Sequence, residues 1–347
     1  MIYRFPLEGR LMIGLLIFIA RVFCGRKRDN QMKELNNNPV LIAIDHGYGF
    51  IKTPHFVFPA CVKEVPAKPS FAENILQWVG HMYVVGEGHK EFISDKAQDN
   101  DYRLLTMAAV ALELKRIGRT EASVYLAVGL PLDWAGQQKD SFQNYLRTPW
   151  QQNFTFNDEE FSIQIEDVLV YPQGFAAIAD KLSSFTGMNM LCDIGNGTLS
   201  LMYINNGLPV PGKVFTEQLG VYQCTLKMKE SVMKQCHCRL DDAMAEDFIR
   251  TGKVEAAPII RNAMMDGVTS YVNSVMTYIR EHDYNPMMMR LHMMGGGACL
   301  LKNFGGKDIQ ADINDHRILL DTDVHATAKG YERLARSSLI GKGVQLL

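Results

Sequence analysis

Apolar and polar residues along the chain follow two periodicities, one typical of buried strands and one typical of helices. The short apolar run 40–44 (VLIAI) and the segment 124–135 (VYLAVGLPLDWA), which ends in a loop, both predict buried strands. Residues 101–118 (DYRLLTMAAVALELKRIG) carry leucine and alanine largely on one side, which predicts an amphipathic helix. Residues 168–182 (VLVYPQGFAAIADKL) predict a strand that leads through a proline into a helix. The pattern therefore predicts an α/β fold.

The first strand ends in a polar, glycine-containing motif that recurs in the second half of the chain. Residues 45–52 (DHGYGFIK) follow the strand, and residues 189–204 (NMLCDIGNGTLSLMYI) repeat the aspartate and both glycines at the same spacing. The shared positions are Asp45, Gly47 and Gly49 in the first copy and Asp193, Gly195 and Gly197 in the second. Two copies about 150 residues apart indicate a duplicated domain with a glycine hairpin in each half.

Two glycine-rich hairpins of this kind are suited to binding a triphosphate. Backbone N–H groups in glycine-rich turns form concave anion sites, so facing hairpins would hold the phosphates from both sides. Asp45 and Asp193 stand at strand ends, where their carboxylates would hold Mg²⁺ directly or through its water shell. Lys52 would neutralise phosphate charge.

A third glycine cluster and a single glutamine complete the candidate site. Gly295, Gly296 and Gly297 follow an apolar strand and precede a predicted helix, which lets the backbone approach a flat ring or a phosphate closely. Gln173 stands at the first turn of the helix predicted after residue 172, where its amide is able to orient a water. On the local pattern alone, a solvent-exposed glutamine at a helix start is the more common arrangement.

Composition excludes some classes of function and site. The 347 residues carry 36 basic and 38 acidic side chains, which gives no sign of a nucleic-acid-binding surface over the whole chain. The seven cysteines are scattered, odd in number and mostly in apolar stretches, as expected for reduced thiols in a cytosolic protein. Cys236, His237 and Cys238 are adjacent but lack the paired spacing of structural zinc sites. The methionine-rich segment 285–294 (NPMMMRLHMM) is expected to fill a core.

Residues 1–39 differ from the rest of the chain. The apolar run 11–20 (LMIGLLIFIA) has ten residues, whereas a membrane-spanning helix needs about 20. A signal peptide would fit this length, but no small-residue cleavage site follows. An interfacial membrane anchor, helped by the basic residues 26–28, is a further alternative. We favour an extension outside the folded domain, with Met32 as an alternative start.

In their order along the chain, these motifs resemble those of the actin, Hsp70 and sugar-kinase ATPase superfamily. The order is a first phosphate hairpin (45–52), a connecting helix from Gln173, a second phosphate hairpin (193–200) and an adenosine loop (294–298). Together with the segment 325–335 (HATAKGYERLA), they look most like bacterial ParM/StbA-type plasmid-segregation actins. The resemblance covers about residues 40–340. It implies an actin-like (ribonuclease H-like) ATPase fold, with two lobes and ATP with Mg²⁺ in the cleft between them.

The resemblance implies roles for individual residues. Asp45 and Asp193 would organise Mg²⁺, and Asp193 would also help to position the attacking water. Gln173 aligns with the residue that orients this water, a glutamine in actin and a glutamate in ParM-like relatives. Lys52 would contact the β- and γ-phosphates. Further contacts to the nucleotide are expected from Gly47, Gly49, Gly195, Gly197, Thr198, Gly220, Gly295, Gly296 and Gly297.

One position departs from the pattern of the family. Actin carries a small hydroxyl residue near the γ-phosphate where this chain has Tyr48. The ring is expected to point away from the phosphates or to stack near them, so nucleotide-state sensing as in actin is not implied. Hydrolysis is expected to proceed by in-line attack of water, with catalysis by positioning and charge stabilisation. Because glutamine is no strong base, we expect slow turnover timed by polymer assembly.

The resemblance also implies a division of the chain. We expect a first lobe over residues 40–172, completed by residues 323–347, and a second lobe over residues 173–322. Within these lobes, segments 53–86 and 212–270 would form smaller subdomains.

Several functions compete within this superfamily. The favoured interpretation is a cytoplasmic, filament-forming ATPase that segregates plasmid or mobile-element DNA. Its partners would be copies of itself and an adaptor bound to centromere-like DNA, with no direct contact to DNA or membrane.

The alternatives each depend on other residues. A small-molecule kinase of the sugar type would use Asp133 as its base, but it leaves Gln173 without a role, and the cysteine zinc motif common in such kinases is missing from the sequence. A membrane-linked cell-shape actin would use residues 11–23 as its anchor. An Hsp70 is disfavoured because no peptide-binding domain follows residue 347.

Overall fold

Two β-sheets, each covered by helices, organise the chain in a computed structural model that describes residues 38–87, 96–131 and 135–347. The expectations for the N-terminal extension and for Asp133 fall on residues outside these ranges.

The first sheet is built from the N-terminal half of the described residues. Its strands are β1 (Val40–His46), β2 (Phe50–Lys52), β3 (Val57–Pro59), β4 (Val62–Val65), β5 (Ile75–Trp78), β6 (His81–Val85), β7 (Glu121–Leu130), β8 (Gln151–Phe156) and β9 (Glu159–Pro172). They lie in the order β3-β2-β1-β7-β9-β8-β5-β6-β4, with β1, β7 and β9 parallel at the centre. The run 40–44, predicted as a buried strand, extends in β1 through Asp45 and His46, and all seven residues of β1 are buried.

Two helices pack against the first sheet and share one hydrophobic core with it. Helix α1 (Asp101–Arg116) contacts β1 and β2, and also the strands β4, β6 and β8. The prediction of an amphipathic α1 is wrong, because all residues in the stretch 104–111 are buried. An uninterrupted run of that length covers the whole circumference of the helix, which is enclosed between strands. Helix α2 (Ala135–Arg147) packs against β9 and β7.

The second sheet comprises β10 (Met188–Ile194), β11 (Leu199–Asn205), β12 (Leu208–Glu217), β13 (Arg290–Gly295) and β14 (Ile318–Leu320), in the order β12-β11-β10-β13-β14. Its helices, with the short α3 (Phe175–Ile178) that precedes it, are α4 (Val221–Cys236), α5 (Asp242–Thr251), α6 (Pro258–Glu281), α7 (Gly296–Phe304) and α8 (Lys307–Asn314). A hydrophobic core made of β10, β11, β13, α4 and α6 side chains lies on one face of this sheet.

The chain crosses between the two sheets twice. It leaves β9 through α3 to reach β10, and it returns from β14 into α9 (Ala326–Gly341), which packs on β1, β7 and α3. The two crossings are joined by an ion pair between Lys181 and Asp321, whose nitrogen and oxygen lie 2.9 Å apart. The lobe boundaries proposed from sequence fall at these crossings and stay predictions.

Two further findings concern membranes and metals. Across the part of the chain that the structure describes, no helix is long and apolar enough to cross a membrane. Within the same ranges, no group of three or more histidine, cysteine, aspartate or glutamate side chains is arranged to hold a metal ion. Cys224 is buried in a hydrophobic core, and His237 ends α4 in the left-handed conformation.

Candidate functional site

The two sequence motifs form two antiparallel hairpins with the same register. In the β1–β2 hairpin Asp45 pairs with Lys52, and in the β10–β11 hairpin Asp193 pairs with Ser200. The two aspartates therefore occupy equivalent positions in their hairpins, the same number of residues before the turn. The residue opposite it is a lysine in the first hairpin and a serine in the second.

The tips of the two hairpins meet. A Cβ atom added to Gly49 would lie 2.5 Å from the side-chain nitrogen Nδ2 of Asn196 in the second turn. No real Cβ makes so close a contact, so the absence of a side chain at Gly49 is what lets the turns approach. This contact brings the hairpins of the two sheets to one place.

A cavity of about 490 Å³ opens where the hairpins meet. Eleven of the residues predicted for the site line it: Asp45, Gly47, Gly49, Lys52, Gln173, Asp193, Gly195, Gly197, Thr198, Gly295 and Gly296. The volume lies within the range of about 300–1,000 Å³ typical of sites for small ligands.

Two glycines predicted to contact the ligand do not line the cavity. Gly220 packs against the backbone of Asn196 and Gly197 in the second hairpin, where a side chain has no space. The N–H group of Val221, the next residue, donates to the carbonyl oxygen of Gly195 at 2.9 Å. Gly297 lies against Ile194, whose Cδ1 would be 2.6 Å from an added Cβ. Both glycines therefore fit helices against the second hairpin from behind.

Gln173, Asp45 and Lys52 form one connected group on the cavity wall. The Gln173 Nε2 donates to Asp45 Oδ1 at 3.0 Å, and the Lys52 Nζ lies 3.6 Å from Asp45 Oδ2. Gln173 is not in the first turn of a helix as predicted. It precedes Gly174, which has a φ of 70° and is the N-cap of the four-residue helix α3. Its backbone N–H donates to the carbonyl of Leu130 at 2.8 Å, which fixes it at the end of the sheet.

Asp193 lies between two glycines whose backbones have positive φ. A Cβ atom added to Gly174 would lie 3.0 Å from Asp193 Oδ2, and one added to Gly295 would lie 2.9 Å from Asp193 Oδ1. Neither position therefore has room for a side chain. Burial raises the pKa of Asp193 to about 6, the negative charge of Asp45 adds to this rise, and Lys52 opposes it. Two carboxylates facing one cavity repel each other, which favours a cation between them.

Tyr48 lines the cavity with its ring beside a buried lysine. The Lys96 Nζ lies 5.4 Å from the centroid of the Tyr48 ring and donates to the backbone carbonyl of His46. Lys96 is 1% exposed, so its charge acts on the ring with little screening. Of the two predicted orientations, the structure adopts one in which the ring stays at the cavity wall.

The contribution of α5 to the cavity was missed by sequence reasoning. The lining includes side chains of α4, α5 and α7, among them Thr225, Glu246, Arg250 and Cys299. The α5 residues recur at helical spacing, which is the pattern of any helix with one covered face. Burial raises the pKa of Glu246, and Asp242 and Asp241 add to the rise.

Comparison with known families and structures agrees with this geometry. The model of the family "Actin like proteins N terminal domain" matches residues 43–175. No curated protein sequence matches the chain.

Three solved structures resemble the chain over most of its length. The apo pSK41 ParM protein is 16% identical with a TM-score of 0.65, covering 89% of this chain and 99% of its own. ParM of Bacillus thuringiensis with ATP is 15% identical with a TM-score of 0.62, covering 88% and 100%. The Alp12 filament structure is 15% identical with a TM-score of 0.60, covering 87% and 99%.

The resemblance seen in the motifs is thereby confirmed at the level of fold. The two sheets, the two crossings and the cleft between the hairpins correspond to the actin-like architecture of these neighbours. The chain has an actin-like fold similar to that of ParM proteins, and its residues 43–175 match the model of the N-terminal domain of actin-like proteins.

Proposed function

We propose that this chain binds ATP with Mg²⁺ in the cavity between the hairpins, hydrolyses it slowly and assembles with copies of itself into filaments. One observation carries the proposal: both glycine hairpins, the Gln173–Asp45 hydrogen bond and the Gly295 turn converge on a single cavity. These residues are spread over 250 residues of the sequence, so chance is a poor explanation for their meeting at one cavity.

The two ends of the cavity are suited to different parts of a nucleotide. The turns 47–49 and 195–197 bring the glycines Gly47, Gly49, Gly195 and Gly197 to the cavity wall, where the missing side chains let a phosphate chain approach the backbone. Lys52 is 23% exposed and adds a positive charge at the same end. The helical end, with Thr225 and Glu246, offers hydroxyl and carboxylate groups to the nucleoside.

The donor set fits Mg²⁺. Asp45 and Asp193 offer hard oxygen ligands from opposite hairpins, and two carboxylates leave most of the coordination sphere to water, as suits Mg²⁺. When bound, the ion would neutralise charge on the phosphates. Burial and the charge of Asp45 raise the pKa of Asp193, and a bound cation would oppose both effects.

Gln173 would orient the attacking water. Its amide is held by Asp45 through Nε2, which leaves Oε1 able to accept a hydrogen bond from water. An amide removes no proton at neutral pH, so positioning is the main contribution and turnover is slow.

Filament formation and DNA segregation rest on the neighbours. Two of the similar structures are ParM proteins and one is described as a filament. By analogy, we propose a cytoplasmic role in segregating plasmid or mobile-element DNA, through an adaptor bound to centromere-like DNA.

The test is assembly of the full chain. Light scattering, pelleting and phosphate release would be measured with ATP, ADP or no nucleotide, with and without Mg²⁺. We expect assembly that requires ATP and Mg²⁺, loss of nucleotide binding in Asp193→Ala, and longer-lived polymers in Gln173→Ala. A chain that stays monomeric and hydrolyses ATP faster when sugars are added would contradict the proposal and favour the kinase.

A further inference from the structure

Two neighbouring residues of α9 contact the two segments that hold Gln173 and Asp45. Gly330 lies against the carbonyl of Ala176 in α3, and no Cβ fits there. Tyr331 is fully buried, and its hydroxyl occupies the space that a side chain on Gly129 would need. Helix α9 is thus seated on both the segment after Gln173 and the strand beside Asp45.

The Tyr331 hydroxyl lies on the same face of the sheet as the Asp45 carboxylate. Strands β1 and β7 are parallel, with Ile44 opposite Val128, so Asp45 and Gly129 are the next neighbours along the two strands. Neighbours in adjacent strands point to the same face. The rings of Tyr171 and Tyr331 stack with centroids 6.1 Å apart, which fixes the phenol over Gly129. Burial raises the pKa of Tyr331, and the charges of Asp45 and Asp193 raise it further, as expected for a phenol close to both.

This hydroxyl has no hydrogen-bond partner among the described atoms, although Tyr331 is 0% exposed. A buried polar group without a partner is destabilising, whereas phenylalanine would fill the same space without that penalty. The Asp45 carboxylate has capacity for another donor, since among the described residues only Gln173 Nε2 and Lys52 Nζ lie within reach of it. A small polar molecule that joins the phenol to the carboxylate would satisfy both groups.

We propose that Tyr331 is a positioning residue whose hydroxyl donates a hydrogen bond, through a buried water, to Asp45. The inference rests on the proposed ATPase function, because the carboxylate so fixed is the one that orients Gln173. Helix α9 then holds both partners of the Gln173–Asp45 bond, one through Gly330 and the other through Tyr331. The phenol does not line the cavity, so it acts on ligand only through Asp45.

Tyr331→Phe tests the inference, and Tyr284→Phe is its matched control. Tyr284 is also buried, at 6% exposure, with a hydroxyl that has no partner among the described atoms, but it lies in the core of the second sheet. We expect Tyr331→Phe to lower kcat for ATP hydrolysis about tenfold with KM changed less than about twofold, as for lost positioning. Tyr284→Phe should leave both unchanged.

A second measurement is independent of activity. In the nucleotide-free chain, Tyr331→Phe removes a satisfied hydrogen bond and should lower Tm by about 1–3 °C. Tyr284→Phe removes an unpaired hydroxyl and should leave Tm unchanged or raise it. A crystal structure of the unmodified chain should show an ordered water within hydrogen-bond distance of both Tyr331 Oη and an Asp45 oxygen.

The outcomes separate this inference from the proposed function. An unmodified chain that neither binds nor hydrolyses ATP would refute the proposed function, while Tm and the crystal structure would still decide whether the bond exists. A Tyr331→Phe variant that keeps the unmodified kcat, or gains Tm as Tyr284→Phe does, would overturn the inference. If Tyr331→Phe failed to fold, absence of the bridging water from the crystal structure would overturn it, and its presence would support it.

Discussion

The two hairpins share a motif and a register but give their aspartates different surroundings. Asp45 accepts a hydrogen bond from Gln173 and lies beside Lys52. Asp193 has a serine, Ser200, where the first hairpin has its lysine. Within the described residues the structure gives the Asp193 carboxylate no hydrogen bond, and burial raises its pKa to about 6.

In the proposed ATPase site, this difference would give the two copies of the motif different roles. The first aspartate is held by protein donors and keeps its geometry without a ligand. The second is enclosed by glycine backbones and gains most from a cation brought by the ligand. Carboxylates in contrasting environments are a common basis for a division of labour in catalytic sites.

The largest expected effect concerns the glutamine that only the first hairpin holds. Gln173→Ala should lower the rate of phosphate release about 10²- to 10³-fold, because the water loses its orienting group. Binding of ATP should change only a few-fold, since the hairpins and Lys52 remain. Single-turnover phosphate release and equilibrium binding would measure the two effects, with exposed Gln218→Ala as the control. Equal losses in binding and hydrolysis would show that Gln173 has no specific part in the chemical step.

The residues opposite the two aspartates provide the next comparison. Lys52→Ala should weaken ATP binding about 10- to 100-fold, because a charge-assisted contact to phosphate is lost. Ser200→Ala should change it less than about twofold, as Ser200 is 8% exposed and bonded to Thr216 at 3.2 Å. Titration calorimetry of both variants would measure this. Similar losses at the two positions would mean that the hairpins bind phosphate symmetrically.

Equivalent glycines should differ in their tolerance of a methyl group. An added Cβ at Gly47 would lie 2.6 Å from the carbonyl oxygen of Phe50, whereas at Gly195 the nearest atom is the Thr198 oxygen at 3.7 Å. Gly47→Ala should therefore destabilise the nucleotide-free chain by about 1–3 kcal/mol, and Gly195→Ala by less than about 1 kcal/mol. Urea unfolding would compare them. A larger loss for Gly195→Ala would contradict the geometry.

The hairpins were predictable from sequence because each is a local structure. An aspartate at a strand end followed by spaced glycines specifies a tight turn wherever it occurs, and the repeat showed that two turns belong together. The cavity they form, and the α/β actin-like fold, agree with that prediction. Gly220, which the resemblance implied, and Gly297, from the third glycine cluster, pack against Asn196 and Ile194, which places them behind the site.

Features that depend on what covers a segment were not predictable. The methionine-rich segment was expected to fill a core, yet Met287 and Met288 are 87% and 76% exposed. They precede β13, whereas Met293 and Met294 lie within it and are buried. Similarly, the pattern of α1 could not show that five strands contact this helix. The α5 residues that line the cavity, such as Glu246, belong to a helix whose sequence carries no motif.

The smallest effect concerns the charge on Asp193 itself. Its pKa of about 6 in the folded chain exceeds the ordinary value of 3.8, so the folded state binds this proton more tightly than the unfolded state. Protonation of Asp193 therefore stabilises the folded state fully below about pH 4. This contribution is lost as the pH rises through 6. Asp193→Asn removes the charge and should make the nucleotide-free chain more stable at pH 7 by roughly 1–2 kcal/mol, with little difference at pH 4.

Asp45→Asn is the matched comparison, since it disturbs a carboxylate that accepts a hydrogen bond from Gln173 and faces Lys52. It should lower stability at pH 7, because the amide nitrogen that replaces one oxygen cannot accept from a donor. Urea unfolding of both variants at pH 4 and 7 measures the contrast. If Asp193→Asn were destabilising at pH 7 to the same extent as Asp45→Asn, the two aspartates would be electrostatically equivalent, and the division of roles between the hairpins would have to be abandoned.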